Sequence, residues 1–222
     1  MNNKINTVVF DLDGTLLDTL QDLRDAANHT FEKYSIPQIT LEQTKNAVGN
    51  GLTVMMKRAI PQGEAHPQFN NILADFVDYY KSHACVKTKP YDGITDSIKK
   101  FAENGYKLAI VSNKPDISVV ELTKYFFGEF DIVASGENEK AGIPKKPSPE
   151  MVFTALKRLG AEATDAVYVG DSDVDILTAQ NSGMPCVSVS WGFRTREQLV
   201  SFGAKKIIDS PADLYDAIND MV

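Results

Sequence analysis

Two aspartates one residue apart, Asp11 and Asp13, follow the first apolar run of the chain in the stretch VVFDLDGTLLDT. Like charges this close repel each other, so the pair must be exposed to solvent, share a proton or bind a cation. Side chains two apart on an extended strand point to the same side, so both carboxylates would face one point. Carboxylate ligands that leave coordination positions open suit Mg²⁺ completed by water and phosphate. The pair therefore predicts a magnesium site.

Three further groups of polar residues follow other apolar runs of the chain. They are Ser112 and Asn113, then Lys146 in KPSPE, then Asp171 and Asp175 in GDSDVD. The four fixed letters of the D-x-D-G-T pattern would occur by chance in about one chain of this length in a few hundred. Open α/β sheets bind ligands at the carboxyl ends of their strands, so we expect the four groups to meet there.

A metal ion beside a free carboxylate, with a hydroxyl and a lysine aimed at the same point, is typical of phosphoryl transfer. Asp11 would attack phosphorus and form an aspartyl-phosphate, which divides one hard displacement into two easier ones. Asp13 would protonate the leaving oxygen and then deprotonate the water that cleaves the intermediate. Mg²⁺, the Lys146 ammonium and backbone N–H groups would offset the developing negative charge. The residues therefore predict a phosphoryl-transfer enzyme.

Short apolar runs alternate with helix-like stretches over much of the chain. The predicted strands cover residues 5–10, 107–111, 130–134, 166–169 and 186–189. These runs are apolar throughout, as strands buried on both sides should be. The alternation predicts a Rossmann-like α/β core, in which a parallel sheet carries helices on both faces.

Two helices have clear start signals in the sequence. In KPSPEMVFTALKRLG, Ser148 is the predicted N-cap, Pro149 the first helical residue and Gly160 the residue after the helix. Ser210 and Pro211 repeat the Ser-Pro start in DSPADLYDAI.

The first two predicted strands are almost a hundred residues apart, far more than a crossover needs. Three stretches in that interval have helical spacing: LQDLRDAANHTFEKY, TVMMKRAI and FNNILADFVDYYKSH. We therefore expect an all-helical cap domain at residues 18–86, inserted into a core formed by residues 1–17 and 87–222.

The composition restricts the partners that we expect. The net charge of −7 argues against nucleic acid or an anionic membrane as the main partner, and 43% of the residues are apolar, enough for a sizeable core. The N-terminal residues do not resemble a signal peptide and no apolar run approaches membrane length, so we expect a cytoplasmic protein acting on a small phosphorylated metabolite. The oligomeric state cannot be read from the sequence.

The motifs DLDGTLLDT, SNK, KPSPE and VGDSDVD resemble, in order, the four motifs of the haloacid dehalogenase superfamily and span nearly the whole chain. The resemblance implies a Rossmann-like core with a helical cap, dependence on Mg²⁺ and an aspartyl-phosphate intermediate. It implies Asp11 as nucleophile, Asp13 as general acid and base whose main-chain carbonyl also binds the metal, and Asp171 as the metal carboxylate. Asp175 would orient that shell.

The resemblance also implies that the phosphate is bound by Ser112, with its neighbour Asn113, and by a lysine. Two adjacent lysines are candidates, and Lys146 is preferred over Lys145 because it directly precedes Pro147. Dehalogenases of the superfamily lack the second aspartate, so Asp13 favours phosphate esters.

Within the superfamily the chain most resembles phosphoglycolate phosphatases, through VGNGLTVMMKRAI, SNKP and VSVSWGF. The first candidate substrate is therefore 2-phosphoglycolate. A phosphosugar mutase of the β-phosphoglucomutase type and a non-catalytic Mg²⁺ or phosphate-binding module remain alternatives. Gly49, Asn50 and Gly51 either form a cap loop that closes over substrate or merely join two helices.

Overall fold

The computed structural model describes residues 5–138 and 142–221 of the chain. The chain divides into two compact units: Met1–Leu17 with Pro90–Val222, which we call the sheet unit, and Asp18–Lys89, which we call the helical unit. The helical unit is inserted into the sheet unit after the first strand.

The sheet unit is built on six hydrogen-bonded strands in the order β5-β4-β1-β6-β7-β8, and neighbouring strands in this sheet run parallel. Two short strands, β2 and β3, form a separate sheet where the chain leaves and re-enters this unit. The strands are β1 Thr7–Phe10, β2 Leu17–Asp18, β3 Lys89–Pro90, β4 Lys107–Pro115, β5 Ile132–Glu137, β6 Ala166–Gly170, β7 Cys186–Val189 and β8 Ile207–Ile208.

Helices follow the strands of the sheet unit and make up most of the helical unit. The α-helices are α1 Leu20–Lys33, α2 Leu41–Ala47, α3 Leu52–Ala59, α4 Phe69–His83, α5 Ile94–Glu103, α6 Asp116–Phe127, α7 Glu150–Leu159, α8 Asp173–Asn181, α9 Arg196–Ser201 and α10 Leu214–Asn219. Among the described residues, no helix is long and apolar enough to cross a membrane.

The sheet has a hydrophobic core on each face, because successive strand residues point to opposite sides. Val8 and Phe10 of β1 belong to one cluster together with Phe101 of α5. Val9, between them, belongs to the other cluster together with Met151 of α7. This arrangement confirms the predicted fold class, a parallel-sheet core with helices on both faces and an inserted all-helical unit.

The predicted start of the KPSPE helix is wrong by one residue. The N-cap is Pro149 instead of Ser148, and the helix has no side-chain cap. The Ser148 hydroxyl donates to the Glu150 carboxylate. Gly160 ends the helix as expected, with φ of 58° in the left-handed region. Ser210 is an N-cap as expected, and its hydroxyl accepts the Ala212 N–H, but the element that it begins is a 3₁₀ turn that precedes α10.

The helical unit packs α1 against α4 and α2, and α3 against α2 and α4. The three stretches with helical spacing correspond to α1, α3 and α4, whereas the sequence analysis missed α2. A capping box begins α2, because the Thr40 hydroxyl accepts from the Gln43 N–H while the Gln43 side chain accepts from the Thr40 N–H. That pair was the available signal.

The helical unit extends to Lys89, three residues beyond the expected end of the insertion. The buried Asp22 carboxylate of α1 accepts hydrogen bonds from the backbone N–H groups of Lys87 and Thr88 and from the Thr88 hydroxyl, at 2.8–2.9 Å. These bonds attach the returning chain to α1, which explains why residues 87–89 group with the helices.

Candidate active site

Three of the four predicted polar groups lie at or directly after the carboxyl ends of strands that are neighbours in the sheet. Strand β1 lies between β4 and β6; Asp11 and Asp171 directly follow β1 and β6, and Ser112 lies within β4 near its carboxyl end. All three side chains are buried. The topology therefore collects them at one edge of the sheet, where open α/β folds bind their ligands.

Three carboxylates meet at this edge. Asp11, Asp171 and Asp175 each offer an oxygen, and these oxygens all lie within 4.8 Å of one another. The Asp13 carboxylate is not part of that cluster, which corrects the expectation that it would join Asp11 through strand alternation. The extended strand ends at Phe10, and the chain turns at Gly14 with φ of 87°, so the alternation does not extend to Asp13.

Lys146 provides the positive charge in the centre of the site. Its Nζ lies 2.8 Å from Asp11 Oδ1 and 2.7 Å from Asp175 Oδ1, and it donates to the Tyr168 hydroxyl at 3.0 Å. The Lys146 side chain is only 2% exposed. Of the two adjacent lysine candidates, it is thus Lys146 that the structure places against Asp11.

Asn113 contacts the backbone of Lys146. The Asn113 Nδ2 donates to the Lys146 carbonyl at 3.1 Å, and its Oδ1 accepts from the Lys146 N–H at 2.7 Å. Both the oxygen and the nitrogen of the amide bond the Lys146 backbone, so Asn113 helps to hold the lysine loop. Its expected contact with phosphate stays a prediction.

The Asp171 carboxylate is held by residues from two loops. Its Oδ2 accepts the Phe193 N–H at 2.6 Å, and its Oδ1 accepts the Thr15 hydroxyl at 3.4 Å. The two loops contact each other, because the indole N–H of Trp191 donates to the Thr15 carbonyl at 3.0 Å. A Cβ at Gly14 would lie 2.4 Å from Asp171 Oδ2, so only glycine allows this close approach.

Asp175 is fully buried and belongs to a capping box at the start of α8. The Ser172 hydroxyl accepts from the Asp175 N–H, and Asp175 Oδ2 accepts from the Ser172 N–H at 3.1 Å and from its hydroxyl at 2.6 Å. Its other oxygen accepts from Lys146. These contacts fit the supporting role expected for Asp175, since each of its oxygens already receives hydrogen bonds.

Burial and like charge dominate the electrostatics of the site. Burial raises the pKa of the Asp11 carboxyl well above its ordinary value; the Asp175 carboxylate adds to this effect, and the Lys146 ammonium opposes it. Burial also raises the pKa of Asp171 to about 7, with Asp175 again adding to the shift. Burial alone would lower the pKa of Lys146, but Asp11 and Asp175 outweigh it and raise that pKa. The site therefore contains an excess of negative charge.

The residues present fit a hard divalent cation. Asp11 and Asp171 offer buried carboxylate oxygens close together, and oxygen ligands of this kind suit Mg²⁺. Burial and the neighbouring Asp175 carboxylate raise the pKa values of Asp11 and Asp171 despite Lys146, whereas a bound dication would favour the ionised forms.

Asp13 and Ser112 share a neighbour, Lys114, at the end of β4. The Lys114 ammonium lies 3.0 Å from Asp13 Oδ1 and 3.2 Å from Oδ2. The Ser112 hydroxyl accepts the Lys114 N–H at 3.3 Å. Asp13 is 21% exposed at its side chain, more than the Asp11 side chain at 10%.

In the helical unit, Gly49, Asn50 and Gly51 join α2 to α3. Gly51 is the N-cap of α3, with φ of 85°, and the Asn50 side-chain oxygen Oδ1 accepts from the Arg58 guanidinium at 2.8 Å. The segment joins two helices, and a contact with substrate remains a proposal.

Sequence reasoning missed three side chains and one backbone group of the site. Tyr168 lies in the apolar run of β6 and reads as a core residue, and Thr15 reads as part of a turn. Lys114 stands within SNKP, directly after the two residues that were selected, so its position was an available signal. Nothing in the sequence points to the Phe193 N–H, because a backbone donor leaves no mark on residue type.

The chain is similar to known proteins over the region that contains the four motifs. Residues 8–189 match the family described as haloacid dehalogenase-like hydrolase. The phosphoglycolate phosphatase of Mesorhizobium japonicum is 33% identical over 198 residues, covering 85% of this chain and 84% of that protein. The pyrophosphatase PpaX of Halalkalibacterium halodurans is 30% identical over 216 residues and covers 97% of each chain.

The solved structures include one with close similarity along the whole chain. It is a crystal structure of a proposed phosphoglycolate phosphatase from Lactobacillus delbrueckii subsp. bulgaricus, with a TM-score of 0.91 and 38% identity, covering 97% of this chain and 98% of that one. The predicted family is therefore confirmed: the chain belongs to the haloacid dehalogenase-like hydrolases, and the relatives it resembles are phosphatases.

Proposed function

We propose that the chain is a magnesium-dependent phosphatase that hydrolyses a small phosphomonoester through an aspartyl-phosphate on Asp11. The first candidate substrate is 2-phosphoglycolate, which the names of several relatives support. The observation that carries the proposal is the environment of Asp11. Its carboxylate is buried beside Asp171 and lies 2.8 Å from the Lys146 ammonium, at the end of the central strand.

In the first step, an Asp11 carboxylate oxygen attacks phosphorus and the bond between phosphorus and the ester oxygen breaks. Asp13 gives its proton to that oxygen, so the alcohol leaves neutral and Asp13 becomes ionised. In the second step, Asp13 takes a proton from water as the water oxygen attacks phosphorus. The bond between phosphorus and Asp11 then breaks, which releases phosphate and restores both side chains.

The remaining residues bind the phosphoryl group and stabilise charge. Ser112 offers a hydroxyl to a phosphoryl oxygen, and Lys146 places an ammonium beside the attacking carboxylate. Asn113 holds the backbone of Lys146 and so fixes where that charge stands. Mg²⁺, held by Asp11, Asp171 and the main-chain carbonyl of Asp13, would neutralise negative charge on the phosphoryl oxygens when bound.

We assign selection of the leaving group to the helical unit, Asp18–Lys89, as the cap. The sheet unit contains the groups that would act on the phosphoryl moiety, and these groups do not distinguish one ester from another. Gly49, Asn50 and Gly51 are the segment of the cap that we propose for contact with substrate.

Pyrophosphate is a second candidate substrate. The relative named as a pyrophosphatase matches 97% of the chain, as completely as any of the phosphoglycolate phosphatases considered above. The same Asp11 and Asp13 chemistry applies to an anhydride, with phosphate in place of the alcohol as leaving group.

The test is phosphate release from a panel of compounds, with Mg²⁺ and with EDTA. The panel contains 2-phosphoglycolate, pyrophosphate, sugar phosphates, nucleoside monophosphates and pyridoxal phosphate. We expect metal-dependent release with the highest kcat/KM for 2-phosphoglycolate. A higher value for pyrophosphate would transfer the assignment to the second candidate, and a flat profile would indicate a broad phosphatase.

Two outcomes would contradict the proposed function. Conversion of β-glucose 1-phosphate to glucose 6-phosphate, without release of phosphate from any compound, would indicate a mutase. Binding of Mg²⁺ or phosphate with no turnover of any compound would indicate a non-catalytic module.

A further inference from the structure

Lys114 is a buried cation that the proposed mechanism leaves without a role. Its side chain is 2% exposed, and its Nζ lies 3.0 Å and 3.2 Å from the two carboxylate oxygens of Asp13. A lysine is rarely buried to this extent, since removing an ammonium from water costs several kcal/mol unless a partner compensates. The burial of Lys114 beside Asp13 therefore indicates a role beyond packing.

The contact constrains the carboxyl group of Asp13. An aspartate carboxyl rotates readily about its terminal torsion, which has a broad energy profile. One ammonium within hydrogen-bond distance of both oxygens restricts that rotation and is a charge-assisted interaction. Asp13 follows the end of β1, where the extended backbone no longer fixes the direction of its side chain.

We propose that Lys114 is a positioning residue for the acid–base step, holding the Asp13 carboxyl group where it can pass a proton to the leaving oxygen. This inference rests on the proposed function, because it requires Asp13 to act on the ester. The Lys114 N–H also donates to the Ser112 hydroxyl. The end of β4 thus links the proposed phosphate-binding hydroxyl to the orientation of the proton donor.

The path of the proton determines which substrates should be affected by loss of the contact between Lys114 and Asp13. When the bond between phosphorus and the leaving oxygen breaks, the proton moves from Asp13 to that oxygen, and Lys114 keeps its own protons. An alkoxide needs this proton because it is a poor leaving group, whereas the carboxylate released from an acyl phosphate does not. Loss of the positioning contact must therefore slow alkyl esters much more than acyl phosphates.

The experiment compares Lys114→Met with the wild-type chain on 2-phosphoglycolate, or on the alkyl phosphate that the panel shows to be best, and on acetyl phosphate. The parameter is kcat/KM, which reports the steps up to departure of the leaving group. General acid catalysis contributes about 10²–10⁴-fold, so we expect kcat/KM for the alkyl ester to fall at least about tenfold more than that for acetyl phosphate. Equal losses on the two substrates, or no loss, would overturn the inference.

The matched control is Lys107→Met, the same substitution at the other end of β4, where the lysine is exposed and donates to the Gly160 carbonyl. We expect it to leave both kcat/KM values unchanged. Lys114→Gln, which keeps a neutral donor, provides a second measurement if the methionine variant is unstable. It should lose activity with the same preference for the alkyl ester.

A double-mutant cycle tests whether Lys114 acts through Asp13. In an Asp13→Asn background, the added Lys114→Met substitution should change the residual alkyl-ester kcat/KM by less than about threefold, since interacting residues are not additive. Additive losses would overturn the inference while leaving the phosphatase assignment intact. A wild-type chain that hydrolyses no phosphate ester would instead contradict the proposed function itself.

Discussion

The sheet unit buries several charged side chains together, whereas the helical unit keeps most of its ion pairs near the surface. Lys146 and Asp175 are at most 2% exposed at their side chains, while Lys33 and its partner Asp75 are 66% and 37% exposed. Exposed pairs contribute little to stability, and breaking a buried pair costs much more. A concentration of costly charges in one place indicates that the chain retains them for chemistry.

Asp22 is the informative exception in the helical unit. Its carboxylate is as buried as the site aspartates, yet its hydrogen bonds come from the backbone of residues 87 and 88 and from the Thr88 hydroxyl. Those donors satisfy the hydrogen-bonding capacity of one carboxylate and attach the last residues of the helical unit to α1. Burial of a charge is therefore not sufficient evidence of an active site; the sheet unit differs because several carboxylates converge and a lysine only partly offsets them.

Asp11→Asn should have the largest effect on activity. The substitution preserves shape but removes the nucleophile, so we expect kcat to fall at least about 1,000-fold in a phosphate-release assay. The control is Asp25→Asn, an aspartate of a surface ion pair in α1, which should stay within about twofold of wild type. More than a tenth of wild-type activity in Asp11→Asn would refute the nucleophile assignment.

Lys146→Met should have the largest effect on stability. It leaves Asp11 and Asp175 buried without their shared counter-charge, so the free energy of unfolding in EDTA should fall by about 3–5 kcal/mol. Urea denaturation provides the measurement. Lys33→Met, which breaks an exposed pair of the helical unit, should leave the urea midpoint unchanged. Equal shifts of the urea midpoint in the two variants would contradict the claim that the buried ion pairs of the sheet unit stabilise the fold more than the exposed pairs of the helical unit.

The pH dependence of stability should reveal Asp171 when no metal is present. The pKa of Asp171 is about 7 in the folded chain, and its ordinary value of 3.8 applies to the unfolded chain. Between pH 3.8 and about pH 7 the folded state therefore binds more protons than the unfolded state. The free energy of unfolding must then fall as pH rises through that window, by about 2 kcal/mol between about pH 5 and pH 6.5.

Asp171→Asn isolates this contribution, because the amide does not titrate. The difference in unfolding free energy between wild type and variant, measured by urea denaturation in EDTA, should decrease over that pH range. A difference that stays constant with pH would contradict the raised pKa of Asp171.

Asp22→Asn should have the smallest effect of the four. The introduced amide would keep one acceptor oxygen, but its NH₂ group would replace the other oxygen. That donor would then face backbone N–H groups, which are also donors. We expect a loss of about 1–2 kcal/mol in unfolding free energy, measured in urea. Asp25→Asn, on the same helix but at the surface, is the stability control and should lose less. An unchanged midpoint in Asp22→Asn would show that the hydrogen bonds to residues 87 and 88 do not stabilise the helical unit.

Much of the fold and the location of the site could be predicted because both depend on residue patterns. The apolar runs identify strands buried on both faces, and polar residues directly after them fall at one edge of a parallel sheet. Strand β8 was missed because it has only two residues, and α2 because its seven residues carry too short a periodic pattern.

The direction of individual side chains was harder to predict. Asn113 and Lys114 are adjacent, but one contacts the Lys146 loop and the other Asp13. The register of β4 against β5 shifts between Ser112 and Pro115, so strand alternation is not a safe guide there. Tyr168 could not be separated from core residues, because the partners of its hydroxyl, Lys146, Asp175 and the Val111 carbonyl, come from distant or separate elements.

The most direct test of the central claim is to trap the covalent intermediate. The Asp13→Asn variant, which lacks the base for the second step, is mixed with Mg²⁺ and acetyl phosphate, whose leaving group needs no proton in the first step, then quenched in acid and digested for mass spectrometry. We predict that the peptide containing Asp11 gains the mass of one phosphoryl group, and that the gain is absent when Asp11 is also changed to Asn. A phosphorylated peptide from another part of the chain, or full turnover without Asp11, would contradict the account.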